Sequence, residues 1–210
     1  MNRSSRGLKP FTPLLLLLSL LLAMPSWLAA EPVRAEDLEF AQKHLAKTRD
    51  AFVAATKGLT DEQWNFKPAP NRWSVAECAE HIAATEDALM TLIRDQVMKS
   101  PARTEPVDLK EIDTLIVTAI ADRSAKRQAP EPLVPTKRFG SGKASVEHFA
   151  ESRAKTISFL NETKDLRDHA MDSPLGQKLD ALQWVLFISA HSERHTKQIA
   201  EVKADANFPK

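Results

Sequence analysis

The chain has 210 residues, a formal net charge of +1 and a single cysteine. This length is sufficient for one domain with a substantial core, and one cysteine excludes an intramolecular disulfide. Residues 1–30 contain three basic residues and no acidic one, so the remainder has a formal charge of −2, which excludes the basic footprint of a nucleic-acid-binding domain.

The N-terminal segment has the pattern of a secretory signal peptide. Three basic residues precede an apolar run at 14–23, and small residues follow at Ala29 and Ala30. We therefore predict that residues 1–30 are removed, with cleavage as late as Ala35 as an alternative, and that the protein is periplasmic or secreted. The run is shorter than the roughly 20 residues that span a bilayer, so no stable membrane span is expected after removal. Retention of the segment as an anchor is the other interpretation.

Apolar periodicity and capping residues predict the first two long helices. Apolar residues repeat every seven positions from Leu38 to Leu59, which indicates a helix from about Asp37 to Lys57. The segment Ser74-Val-Ala-Glu77 has the form of a capping box. We expect a second helix to begin there and to end near Ser100.

The second half of the chain predicts two further long helices. Residues 101–144 contain five prolines around a short predicted helix from Asp108 to Arg123. Ser145 is predicted to cap the third long helix, and a second capping box at Asp180–Gln183 to begin the last one, which extends to about Lys203. No alternating strand pattern is present. The sequence therefore predicts an all-α four-helix bundle with a long crossover between the second and third helices.

Three histidines form the pattern that indicates chemistry. His191 and His195 are four residues apart and share one helix face, and His81 lies on the second predicted helix. Three neutral imidazoles around a divalent ion leave coordination positions open, as in a catalytic site rather than a closed structural one. We expect zinc, with nickel, manganese or iron as alternatives. Histidines on a solvated face, without a metal, are the other interpretation.

The residues around these histidines resemble the DinB-like family. The resemblance rests on four segments: Trp73-Ser-x-x-Glu77-x-x-x-His81-Ile, the proline-rich stretch 129–139, the helix with Arg153, and Leu182-Gln-Trp through His191-Ser-Glu-Arg-His195-Thr-Lys-Gln198-Ile. It covers roughly residues 37–208, the predicted domain. It implies a metal-binding four-helix bundle with His81, His191 and His195 as ligands, and a relationship to bacillithiol- or mycothiol-dependent transferases.

Four further residues are candidates for the surroundings of the metal. Cys78 is either a fourth ligand or, as we favour, a buried thiol. Arg153 either binds a substrate carboxylate inside the bundle or, as we favour, reaches the bundle edge and pairs with an acidic side chain. Trp184 lies on the stripe that carries the histidine pair. Gln198 is expected to bind a ligand histidine or to lie at the edge of the core.

The predicted function is metal-dependent transfer or hydrolysis on a small molecule, with a metal-activated thiol or water as the nucleophile. Export favours water, because low-molecular-weight thiols are kept reduced mainly in the cytosol. A non-catalytic metal- or ligand-binding bundle is one alternative, and a metal-free helical interaction protein is another. The expected partners are a small-molecule substrate and a second copy of the chain in a homodimer, and not nucleic acid.

Overall fold

The computed structural model describes Met1, residues 33–104 and residues 106–210. The predicted signal peptide, Met1 apart, lies outside these residues and stays a prediction. The described part contains six α-helices and one short hairpin. The helices are α1 (Ala35–Thr56), α2 (Asp61–Asn65), α3 (Val75–Asp95), α4 (Leu109–Ala121), α5 (Gly142–Glu162) and α6 (Ala181–Lys203); the strands are β1 (Ala170–Asp172) and β2 (Lys178–Asp180).

The four long helices α1, α3, α5 and α6 form the predicted four-helix bundle. Helix α1 packs against α5 and α6, and α3 packs against the same two helices. The crossover from α3 to α5 contains α4, which packs on the outside of α6, and a 3₁₀ turn at Glu131–Leu133. The long crossover therefore covers one side of the bundle, where α3 and α6 meet. None of the described helices is long and apolar enough to cross a membrane.

Local capping fixes most of the helix starts where the sequence predicts them. Both side-chain hydrogen bonds of the capping box form at Ser74 with Glu77 and at Asp180 with Gln183. The predicted cap of α5 is wrong. Ser141 accepts the hydrogen bond from the Ala144 N–H at 3.1 Å, and Ser145 is buried inside the helix.

Two further predictions differ from the structure. Helix α3 ends at Asp95, before Ser100, and a 3₁₀ turn at Val97–Lys99 follows it. The antiparallel hairpin of β1 and β2 was not predicted, because each strand has only three residues and such a short segment shows no alternation.

The core has two apolar clusters with a polar layer between them. Along every long helix a buried polar residue lies between residues of the two apolar clusters. On α1, for example, Thr48 lies between Leu45 and Phe52. The polar layer, called here the arginine layer, contains at least one side chain from each long helix. It consists of Thr48, Glu86, Arg153, Thr156 and Ser192.

Arg153 holds the arginine layer together. Its Nε and Nη2 donate to the two carboxylate oxygens of Glu86, each at 2.7 Å, and Nη1 donates to Thr48 Oγ1 at 3.0 Å. The guanidinium also lies over the Phe149 ring, with Cζ 4.8 Å from the centroid. Arg153 and Glu86 are fully buried, so the predicted position of Arg153 at the bundle edge is wrong, although its acidic partner is present.

Candidate metal centre

Three histidine side chains from two helices meet where α3 packs against α6. His191 and His195 are one turn apart on α6, so their rings project from one face, and His81 faces them from α3. One ring nitrogen of each lies within 4.8 Å of the other two. The Nε2 atoms of His81 and His191 are 3.2 Å apart. These three side chains are called the histidine cluster below.

Hydrogen bonds fix the tautomers of two of the rings. His81 Nδ1 donates to the Leu133 carbonyl at 2.8 Å, and His195 Nδ1 donates to Gln198 Oε1 at 2.9 Å. A neutral imidazole that donates from Nδ1 has its lone pair on Nε2. Both Nε2 lone pairs are therefore available to a cation, which is the usual arrangement around a ligand histidine.

Burial keeps the histidine cluster neutral. It lowers the pKa of His191 and of His195 well below the usual value, and the neighbouring rings lower both further. Burial also lowers the pKa of His81, although its hydrogen bond to Leu133 opposes this. The cluster thus offers neutral nitrogen donors near neutral pH, the form in which histidine binds metals.

The donor set fits a divalent ion. Two nitrogen ligands on one tetrahedral zinc lie about 3.3 Å apart, given zinc–nitrogen bonds of about 2.0 to 2.1 Å. The 3.2 Å separation of the His81 and His191 Nε2 atoms agrees with this value. Within the described residues no thiolate or carboxylate belongs to the group, so three nitrogens would leave coordination positions open.

The histidine cluster lies at a cavity of about 760 Å³, which is within the usual range for small-molecule sites. Helices α3, α4 and α6 form its walls, together with the crossover and the tip of the hairpin. The walls are largely apolar, and in the described part of the chain five arginines and lysines but no acidic residue line them. The apolar wall residues are Trp73, Leu89, Leu92, Ile120, Leu133, Val134, Leu175, Trp184 and Phe187.

Glu80 fastens the crossover over the cluster. Its carboxylate accepts hydrogen bonds from the backbone N–H groups of Thr136 and Lys137, each at 2.7 Å, and from that of Arg138 at 3.2 Å. Burial alone would raise the pKa of Glu80, but these bonds outweigh it and lower the pKa. The same loop supplies the Leu133 carbonyl, so Glu80 indirectly positions the His81 ring.

The other predicted site residues divide between the cavity and the core. Trp184 lines the cavity, and its Nε1 has no hydrogen-bond partner among the described residues. Gln198 also lines the cavity and accepts from Arg123 Nη1 at 3.1 Å, besides its bond to His195. Arg153 and Cys78 do not line the cavity. Cys78 lies among apolar side chains, and burial raises the pKa of its thiol, so it remains protonated and is not placed as a fourth ligand.

Three functional candidates were missed from the sequence. Glu80 is next to His81 in sequence, but its hydrogen bonds to Thr136 and Lys137, like that of His81 to Leu133, join residues more than 50 positions apart. Arg194 lies inside the His-x-x-x-His motif, in which only the two histidines were predicted to have a function. Its position, three residues after His191 on the same helix, was the available signal.

The chain is similar to known proteins along most of its length. The family model of the DinB superfamily matches residues 44–199. The uncharacterized protein YuaE of Bacillus subtilis is 31% identical over 150 residues, which are 70% of this chain and 87% of that protein.

Two solved structures share the fold at lower identity. YfiT of Bacillus subtilis, described as a probable metal-dependent hydrolase with an unusual four-helix bundle topology, has a TM-score of 0.52 and 14% identity, over 85% of this chain and 93% of that one. A conserved protein from Enterococcus faecalis has a TM-score of 0.51 and 18% identity, over 79% of this chain and 94% of that one.

Proposed function

The chain belongs to the DinB superfamily, and we propose that it is a metal-dependent hydrolase that acts on a small molecule in the cavity beside its histidine cluster. One observation carries the proposal: three neutral imidazole nitrogens, with no fourth protein ligand from the described residues, lie at a cavity large enough for a substrate. The description of YfiT as a probable metal-dependent hydrolase supports the same reaction class.

The metal would be held by His81, His191 and His195. When bound there, a divalent ion such as zinc supplies Lewis acidity, which polarises a substrate oxygen and lowers the pKa of water. The hydrogen bonds to Leu133 and Gln198 keep the two fixed rings oriented with Nε2 toward the shared point. Nickel or iron would suit the same imidazole donors, whereas manganese, which prefers oxygen ligands, is the weaker alternative.

The cavity residues would bind and orient the substrate. The apolar walls from α3 and α6 would cover its apolar part and exclude bulk water, which strengthens electrostatic interactions near the histidine cluster. Among the residues that the structure describes, no aspartate or glutamate lines the cavity, so none of these is placed to act as a general base there. Activation of the nucleophile therefore depends on the ion more than on a side chain.

Transfer of a thiol to a substrate is the second candidate function, because the family resembles bacillithiol- and mycothiol-dependent transferases. A thiol would use the same open positions as water. We favour water because we also propose that the chain is exported, and the basic and apolar pattern of residues 1–30 supports export. Reduced low-molecular-weight thiols are scarce outside the cytosol.

Metal content and hydrolysis measured together test the proposal. Protein purified without a histidine tag should contain about one divalent ion per chain by elemental mass spectrometry. It should hydrolyse members of an ester and amide panel, and chelation should stop this. His191→Ala should remove both metal and activity.

His148→Ala is the matched control, because this histidine pairs with Asp87 outside the cavity. It should retain metal and activity. Full metal content in His191→Ala would overturn the metal assignment. Metal-loaded protein that turns over the panel only with an added thiol would favour the transferase instead.

A further inference from the structure

Three arginines are buried in the described part of the chain, and one of them differs from the others. Arg153 pairs with Glu86 at 2.7 Å, and Arg167 pairs with Asp113 at 2.6 Å and with Asp180 at 2.9 Å. Arg194 is only 5% exposed, yet in the described residues no carboxylate oxygen lies within 4.0 Å of its guanidinium. Its one hydrogen bond is from Nη2 to the Ala125 carbonyl at 2.7 Å.

Such a cation is costly to bury. A charged group inside a protein is normally paired, because removal from water is not otherwise compensated. The position of Arg194 therefore favours a bound anion.

The surroundings of Arg194 show where an anion would lie. Arg194 lines the same cavity as the histidine cluster, one helical turn beyond His191 on α6. Arg72, Arg123, Lys126 and Arg127 line the cavity as well, and none of the acidic residues in 33–104 and 106–210 does. Arg123 is already paired with Glu201 at 2.7 Å, whereas Lys126 and Arg127 have no ion pair among the described residues. The cavity is thus positive at one side and apolar along its walls.

We propose that the substrate is an amphipathic anion whose oxyanion group binds Arg194 while its apolar body packs on Leu89, Leu92, Trp184 and Phe187. The oxyanion is a carboxylate or a phosphate, the groups that a guanidinium binds with two parallel hydrogen bonds. The name substrate rests on the proposed function, but anion binding at Arg194 does not. A divalent ion held by three neutral histidines would add positive charge to the cavity and would increase the preference for anions.

Matched probes test the proposal by calorimetry. 4-Phenylbutyrate and 3-phenylpropylphosphonate carry an anion on an apolar body, and 4-phenylbutyramide has the same shape as the carboxylate without the charge. Wild-type protein should bind both anions at least about tenfold tighter than the amide. This difference should persist after chelation of the metal, because it depends on Arg194.

Two variants and one control separate the outcomes. Arg194→Gln should reduce the difference between anion and amide to about twofold, and Arg194→Lys should restore part of it. Arg49→Gln removes an exposed arginine on α1 and should change nothing. Circular dichroism would verify that each variant is folded. If Arg194→Gln does not fold, the reduced anion preference of Arg194→Lys is the test.

Equal binding of the anions and the amide by wild-type protein would overturn the proposal. So would an anion preference that survives in Arg194→Gln, or one that disappears on chelation. That last result would place the anion on the metal and leave the proposed function intact. Conversely, an anion preference in a protein that binds no metal would overturn the proposed function alone.

Discussion

The arginine layer and the histidine cluster lie in the same bundle and both use helices α3 and α6, but only the arginine layer has all its charges paired. In the arginine layer, the guanidinium of Arg153 donates to the carboxylate of Glu86, and two hydroxyl groups and the Leu45 carbonyl accept from it as well. In the histidine cluster, three neutral nitrogens converge, and no carboxylate of the residues that the structure describes joins them. A buried polar network whose groups are all paired stabilises one arrangement of the core. A buried cluster of neutral nitrogen donors is instead suited to bind a cation.

Their surroundings differ in the same way. Apolar clusters enclose the arginine layer on both sides along the bundle axis, and the side chains of Arg153 and Glu86 have no exposure. The histidine cluster faces a cavity of about 760 Å³. Charge and burial alone would not separate the two, since both contain buried titratable residues. Access from the cavity is what separates a site from a structural network.

Breaking the arginine layer should have the largest effect on stability. Arg153→Met leaves the Glu86 carboxylate buried without its partner, and we expect it to lower the free energy of unfolding by about 3 to 5 kcal/mol. Urea unfolding measures this. The double variant Arg153→Met/Glu86→Leu should recover much of the loss because both charges are gone. A loss below about 1 kcal/mol in Arg153→Met would mean that the layer is not structural.

Removing the metal should have the next largest effect, and only the histidine cluster should respond. With free metal at 100 times the dissociation constant, binding stabilises the native state by about 2.7 kcal/mol, so chelation should lower the melting temperature. His191→Ala should melt at the same temperature with or without chelator. A chelator response in His191→Ala equal to that of wild type would show that this histidine is not a ligand.

Loosening the crossover should weaken the cluster without removing a ligand. Glu80→Gln removes the charge that holds the backbone N–H groups of Thr136 and Lys137, and we expect metal affinity to fall by about tenfold. Competition with a fluorescent chelator measures the dissociation constant. Glu151→Gln is the control, because this glutamate is exposed on α5. An unchanged dissociation constant in Glu80→Gln would show that the contacts between Glu80 and the crossover do not affect metal binding.

Changing the single cysteine should have the smallest effect on metal. Cys78 lies in the apolar cluster with Phe52 and Phe149, away from the cavity, and its thiol stays protonated. Cys78→Ser should therefore keep the metal content of wild type, as measured by elemental mass spectrometry. Loss of the metal would indicate a fourth ligand and a closed, structural site.

The fold was predictable from the sequence because its signals are local. The capping boxes at Ser74 and Asp180 act over three residues, and the heptad spacing of α1 identifies its buried face. The prediction failed where two local signals compete or where the signal is too short. Ser141 and Ser145 both precede helix-forming residues, and the three-residue strands of the hairpin carry no period.

The sequence by itself determined the number and order of the long helices and the position of His191 and His195 on one face of α6. Tertiary structure brings His81, the third ligand that the family resemblance implies, to that pair across 110 residues of sequence. It also decided that Arg153 lies inside the bundle while Arg194 lines the cavity. Helix periodicity shows that a residue faces inward, but the packing of four helices determines whether a carboxylate, a histidine or a cavity lies opposite.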